Sequence, residues 1–163
     1  MNKVICHDID GKLHKVNVNK LIFRPSVYGV LIEKGKILLL KQKIGYDFPG
    51  GGMELGETLE QTLKREFFEE TGLRVKKKQL LDCASSFFYS KRLKKFYHTI
   101  LIYYSCRKIS GYLTNKHFDA HEEKYAIVPE WVDLKKIAKI KFQNAINSVK
   151  LIKKAIKLSN NAN

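Results

Sequence analysis

The stretch Gly51–Leu73, GGMELGETLEQTLKREFFEETGL, decides how the rest of the chain is read. Thr58 with Gln61 three residues on makes a capping box, so a helix is expected from about Thr58 to Thr71. Gly72 supplies the left-handed residue that stops it. On a helical wheel Leu59, Leu63 and Phe67 form an apolar stripe. Glu66, Glu69 and Glu70 fall beside that stripe, and Glu70 lies within its angular range. An ordinary amphipathic helix puts its carboxylates on the opposite face. Glutamates at i, i+3 and i+4 also repel one another, and partial burial raises the cost. A divalent cation offsets that cost, and hard carboxylate oxygens suit Mg²⁺ or Mn²⁺. The preceding glycines allow the backbone to approach a ligand closely, and a helix N-terminus favours anions. Together these features point to a phosphate-bearing substrate. The alternative is a solvated acidic helix face after a tight turn.

Working outward, the residues N-terminal to this stretch alternate as strands. Lys3 to Asn19 reads as a hairpin, within an N-terminal region of about residues 1–20, with Asp10-Gly11 as its turn. Val27–Ile32 and Ile37–Leu40 are aliphatic runs around Glu33-Lys34-Gly35-Lys36, as expected for strands buried on both faces. On the C-terminal side, strands are expected at Leu80–Tyr89, Phe96–Cys106 and Lys124–Trp131. A short helix is expected near Asp133–Ala138. A longer one is expected over Lys141–Leu158, where Phe142, Ala145, Ile146, Val149, Ile152 and Ile156 recur at helical spacing. Hairpins mixed with a few helices, rather than repeated βα units, argue an α+β fold.

Composition bounds the reading. The 163 residues suit one domain, 1–163, and 44% apolar content excludes a disordered chain. Cys6, Cys83 and Cys106 are widely spaced and form no CxxC, so free thiols in a reducing compartment are expected. Met1–Asp10 carries charges and no apolar run, and no stretch of about 18 apolar residues occurs; neither a signal peptide nor a membrane span is expected, and a cytoplasmic location is. Lys and Arg number 31 against 16 Asp and Glu, a net charge of +15. That charge raises nucleic acid as a partner. Yet eight lysines and no acid lie between Leu134 and Asn163, so the excess reads first as the solvated side of a basic C-terminal helix.

The Gly51–Leu73 stretch resembles the signature of the Nudix hydrolases, the MutT-like family. That signature runs Gly, five residues, Glu, seven residues, Arg-Glu, an apolar residue, any residue, Glu-Glu, any residue, Gly and an aliphatic residue. Here Gly51, Glu57, Arg65-Glu66, Phe67, Glu69-Glu70, Gly72 and Leu73 occupy the specified positions, with Phe67 bulkier than the usual aliphatic. The resemblance implies an α/β/α sandwich, with a mixed sheet between helices. It implies a Mg²⁺- or Mn²⁺-dependent hydrolase that cleaves a pyrophosphate linkage in a nucleoside diphosphate joined to another group. By position, Glu66, Glu69 and Glu70 would be metal ligands, with the Gly50 carbonyl beside them. Gly51, Glu57 and Gly72 would be structural, Glu57 pairing with Arg65. The catalytic set would be Glu66, Arg65 and Glu123. Relatives draw the general base either from the signature, here Glu66, or from a later loop, here His121-Glu122-Glu123, with Glu123 ahead of Glu122. Many relatives are dimers, so a homodimer is expected.

Substrate contacts lie outside the signature. Arg24 and Lys41, at strand ends, could reach phosphates, and Tyr46 could stack on a base. Tyr89 stands 16 residues after Leu73, where relatives acting on dinucleoside polyphosphates often carry a tyrosine; core packing is the alternative. His98 and His117 have no spacing that makes a site. A non-catalytic nucleotide- or RNA-binding module of the same fold, and an enzyme acting on capped RNA ends, are the competing functions. Intact carboxylates favour the enzyme, and nucleic acid is the less favoured partner.

Overall fold

The computed structural model describes residues 2–42, 44–114 and 127–160. Strand β1 (Lys3–His7) pairs antiparallel with β2 (Leu13–Asn17). The turn between them is wider than an Asp-Gly pair alone: the Asp8 side chain accepts from the Asp10 and Lys12 N–H groups at 3.0 and 2.9 Å. A 3-10 turn (Val18–Lys20) leads to β3 (Leu21–Phe23). The strands β4 (Ser26–Glu33) and β5 (Lys36–Gln42) follow, joined through Lys34 and Gly35 with φ of 48° and 73°. Positive φ at both positions gives the turn whose twist suits a hairpin. Short strands β6 (Gly45–Asp47) and β7 (Gly50–Gly52) precede helix α1 (Leu59–Thr71).

Thr58 caps α1, with both halves of the capping box formed to Gln61, and Gly72 ends it at φ 72°. Next come β8 (Leu73–Ser90) and β9 (Lys95–Gly111), a hairpin longer than the sequence periodicity suggested at both outer ends. The run Lys76-Lys77-Lys78 hides the alternation there, although Leu73 and Val75 are buried. Strand β10 (Val128–Asp133), a 3-10 turn (Leu134–Lys139) capped by Asp133, and helix α2 (Ser148–Asn160) complete the order. The main sheet runs β10-β5-β4-β9-β8-β1-β2, with β3 on β9, β6 on β5 and β7 on β4. It is mixed: β4 and β9 are parallel, β8 and β9 antiparallel.

Alternation along β4 and β5 gives each sheet face its own helix. Val27, Leu31 and Leu38 pack with Leu63 and Phe67 of α1. Val30, Ile37 and Leu39 pack with Leu151, Ile152 and Ala155 of α2. The layers are therefore helix, sheet, helix, the α/β/α sandwich that the resemblance implies. Gly29 is the close-approach point: a Cβ there would stand 2.6 Å from the Phe67 ring.

The C-terminal helix corrects the expectation of a start at Lys141. It begins at Ser148, where the Asn147 side chain accepts from the Lys150 N–H at 3.0 Å. Residues 141–143 pair with β6 instead, with Tyr46 N donating to Lys141 O at 2.9 Å and Gln143 N to Tyr46 O at 3.0 Å. Phe142 leaves the helical register to stack on Phe48. The cysteines are free, Cys6 buried and Cys83 exposed. Among the described residues no helix is long and apolar enough to cross a membrane.

Candidate active site

One guanidinium organises the carboxylates of α1. Arg65 Nε donates to Glu57 Oε1 at 2.6 Å and Nη2 to Glu57 Oε2 at 2.9 Å. Its Nη1 reaches Glu66 Oε1 at 2.9 Å and Glu69 Oε2 at 3.2 Å, and Nη2 also reaches Gly52 O at 3.1 Å. Glu57 collects further donors from the Glu54 N–H at 3.0 Å and the Thr62 hydroxyl at 2.9 Å. The Arg65 bonds hold the Glu57 carboxyl down to about 2. This contact fixes the loop after β7 to the first turns of α1.

Glu66 and Glu70 are where the sequence placed them, beside the apolar stripe. Glu70 is buried, and its Oε2 accepts from the Gly50 N–H at 2.7 Å. Burial pushes the Glu66 carboxyl up, against the pull of Arg65, and Glu69 adds to the rise. Gly51 lies flat against Glu66, where a Cβ would stand 2.6 Å from the carboxyl carbon. Glu69 is the open member, its side chain 44% exposed. As they stand, these carboxylates turn toward Arg65 and Gly50, and among the described residues no three acidic, His or Cys side chains are arranged as a ligand shell. The donor chemistry nonetheless suits a hard dication: Glu66, Glu69 and Glu70 outnumber the guanidiniums of Arg65 and Arg24 on this wall.

These groups line a cleft of about 1060 Å³. Arg24 lines it too, its guanidinium against Gly52 and 5.8 Å from the Tyr97 ring centre. Lys41 and Tyr46 do not line it. They sit opposite each other in the β5–β6 pairing, Lys41 is exposed, and the Tyr46 hydroxyl donates to Glu130 at 2.6 Å. Tyr89 packs on His14 and Phe96 and does not line the cleft. His98 bonds Ser85 and lies between Phe23 and Phe87. His117, His121, Glu122 and Glu123 lie outside the described residues.

Sequence reasoning missed two parts of this cleft. At one end, Asp47, Tyr28, Tyr103, Phe142 and Asn144 form a wall. Asn144 Nδ2 donates to Asp47 Oδ1 at 3.0 Å, and burial pushes the Asp47 carboxyl up to about 6. Burial also raises the Tyr28 hydroxyl, helped by the charges of Asp47, Glu70 and Glu66. At the other end, Asp8 binds His14 Nε2 at 2.9 Å and Lys91 Nζ at 3.1 Å, which ties the β1–β2 turn to the β8–β9 turn. Neither cluster has a local sequence signal, since each joins residues from separate elements.

A family model described as NUDIX domain matches residues 22–153. The chain is 42% identical over 74 residues to an ADP-ribose pyrophosphatase of Methanocaldococcus jannaschii, covering 41% of this chain and 44% of that protein. It is 40% identical over 68 residues to an RNA pyrophosphohydrolase of Baumannia cicadellinicola, covering 39% and 42%. The matches thus span less than half the length of these relatives. Among solved structures, a NUDIX hydrolase from Nitrosomonas europaea superposes with a TM-score of 0.61 at 19% identity, covering 83% of this chain and 89% of that one.

Proposed function

The chain belongs to the Nudix family, and on that premise we propose that it is a divalent-metal-dependent hydrolase of a pyrophosphate linkage in a nucleoside diphosphate derivative. The observation that carries the reading is the gathering of Glu66, Glu69 and Glu70 on one wall of a large cleft, against the glycines of β7. A binding module has no physical need for that costly arrangement. Glu66, Glu69, Glu70 and the Gly50 carbonyl would hold the cation. Mg²⁺ or Mn²⁺ so bound neutralises pyrophosphate charge and acidifies a water.

The chain's own groups divide the remaining work. Arg24 faces the cleft beside Gly52 and can donate to phosphate oxygens. Arg65 positions the glutamates rather than the substrate, since its bonds are spent on Glu57, Glu66, Glu69 and Gly52. Water attacks phosphorus and the anhydride P–O bond breaks, leaving the bridging oxygen on the departing phosphate. The proton of the water passes to a carboxylate. Glu66, on the cleft wall against the Gly51 backbone, and Glu123 are the two candidate bases.

The test is a hydrolysis panel on the purified chain, with Mg²⁺, with Mn²⁺ and with EDTA. ADP-ribose, nucleoside triphosphates, dinucleoside polyphosphates, nucleotide sugars and capped RNA form the panel, read by chromatography of released nucleotide. Cleavage of at least one, lost in EDTA, is expected. No cleavage under any metal condition defeats the reading and favours a binding module. Glu66→Gln and Glu123→Gln compared on the cleaved compound decide between the two bases.

A further inference from the structure

Two hairpin tips close the far end of the cleft, and one buried carboxylate joins them. Resting on the pyrophosphohydrolase reading above, we propose that Asp8 is a positioning residue for substrate binding. Through Lys91 it fastens the β1–β2 turn to the β8–β9 turn, and so fixes the wall met by the part of the substrate beyond the pyrophosphate. Ile9, Asp10 and Gly11 of the first turn, with Arg92 and Leu93 of the second, line the same cleft as the carboxylates of α1. Strands β1 and β2 precede residues 22–153, so half of this wall comes from outside the span that the family model matches.

Both oxygens of Asp8 are engaged, and its side chain is 0% exposed. Oδ1 accepts from the Asp10 and Lys12 N–H groups at 3.0 and 2.9 Å, which closes its own turn. Oδ2 accepts from His14 Nε2 at 2.9 Å and from Lys91 Nζ at 3.1 Å, which reaches across to the other turn. Lys91 also bonds Asp10. A buried carboxylate needs its partners, so this pose is strongly favoured over a parted one. Apart from this joint, β1 registers with β8 at one pair among the described residues, His7 with Phe88. His14 adds a ring contact to Tyr89, with centres 4.5 Å apart.

The wall stands well away from the carboxylates. Ser26 pairs with Gly52 on one side and with Leu101 of β9 on the other. From Leu101, β9 runs back to Lys95 at the β8–β9 turn, roughly 20 Å at about 3.3 Å per residue. A pyrophosphate held by the carboxylates does not span that distance, whereas a nucleoside diphosphate joined to a second group extends toward the wall. There it meets the Arg92 guanidinium and the exposed aliphatic chains of Ile9 and Leu93. A wall already in place spares the complex the ordering of two turns. Loosening the joint therefore weakens binding of the whole substrate and leaves the chemical step alone.

Lys91→Gln opens the joint from outside, since the Lys91 side chain is 44% exposed and does not line the cleft. Steady-state kinetics on the full chain use whichever of ADP-ribose, ATP, diadenosine tetraphosphate and UDP-glucose is cleaved fastest, with pyrophosphate as the short competitor. KM is expected to rise roughly fivefold or more in Lys91→Gln, with kcat and the pyrophosphate inhibition constant within about twofold. The melting temperature should stay in place, and Lys91→Arg should restore KM. Asp8→Asn keeps an acceptor for its own turn and should raise KM alike. The double variant should go no further, because both changes break one contact. Should Asp8→Asn fail to fold, Lys91→Gln and Lys91→Arg decide. An unmoved KM in Lys91→Gln, or a parallel loss of kcat and of pyrophosphate affinity, overturns the positioning role. If nucleotides are cleaved with KM unmoved, only the joint fails. If none is cleaved with Mg²⁺ or Mn²⁺, the hydrolase reading fails and the role of Asp8 falls with it.

Discussion

Arg65 grips Glu57 with two parallel bonds, of 2.6 and 2.9 Å, and the same guanidinium extends to Glu66, Glu69 and the Gly52 carbonyl. One side chain thereby ties the loop after β7 to the acidic face of α1. Loop, helix and glycines are held together through it, so the pose of the carboxylates depends on a residue with no bond to spare for substrate.

Arg65→Lys should expose that dependence. Lysine keeps the charge and loses the planar fork, so it cannot serve Glu57 in two bonds while reaching the remaining acceptors. Urea unfolding should show a loss of about 1–3 kcal/mol, the scale of charge-assisted bonds lost at a partly buried site. Turnover should fall with it. Unchanged stability would mean that the fork contributes nothing beyond its charge.

Two glycines should respond in opposite ways to alanine. At Gly51 the added Cβ meets the Glu66 carboxyl at 2.6 Å, the free end of a flexible side chain. Gly51→Ala should therefore leave stability within about 1 kcal/mol and cut turnover by roughly 10²-fold through a displaced carboxylate. At Gly29 the Cβ meets the fully buried Phe67 ring at 2.6 Å. Gly29→Ala should cost about 1–3 kcal/mol by overpacking. Thermal melts and steady-state rates on both variants check the contrast; a stable Gly29→Ala would contradict the packing described for α1.

Glu69 and Glu70 should also separate. Glu69 is open and makes a 3.2 Å bond to Arg65, whereas buried Glu70 holds the Gly50 N–H. Glu69→Gln should lower Mg²⁺-dependent hydrolysis by roughly 10²-fold with the melting temperature unmoved. Glu70→Gln should lower both, because it weakens the contact between β7 and α1. Full activity in Glu69→Gln would remove it from the proposed metal set.

These contrasts follow how far the sequence could be read. Helix α1 was legible to its caps, because Thr58, Gln61 and Gly72 act within a few residues of one another. The aliphatic runs of β4 and β5 were legible because both faces are covered. The start of α2 was not, since Phe142, Ala145 and Ile146 fall at helical spacing although residues 141–143 bond to β6 and the helix begins only at Ser148. Periodicity reports apolar faces and cannot tell a helix turn from a segment that happens to bury the same residues. Lys41 and Tyr46 lie off the cleft for a related reason: a place at a strand end, or near a glycine loop, does not fix which face of the sheet a side chain takes. The Asp47–Asn144 contact spans 97 residues and has no local signal at all.

That contact yields a pH effect with a defined sign. Burial raises the Asp47 carboxyl from 3.8 to about 6, so the folded chain holds its proton more tightly than the unfolded chain. The stability this contributes is complete below about pH 4 and is lost as pH rises through about 6, with a slope of at most about 1.4 kcal/mol per pH unit. Glu57, held down to about 2, acts in the other direction, and its contribution is lost only under stronger acid. Glu66, raised by burial, adds to the Asp47 trend. The difference between wild type and Asp47→Asn cancels Glu57 and Glu66 and isolates the one carboxyl. Urea midpoints for both proteins at intervals from pH 4 to 7 should draw apart, with the wild type losing ground to Asp47→Asn as pH rises. Parallel curves across that range would show that the Asp47 carboxyl keeps its ordinary acidity in the folded chain.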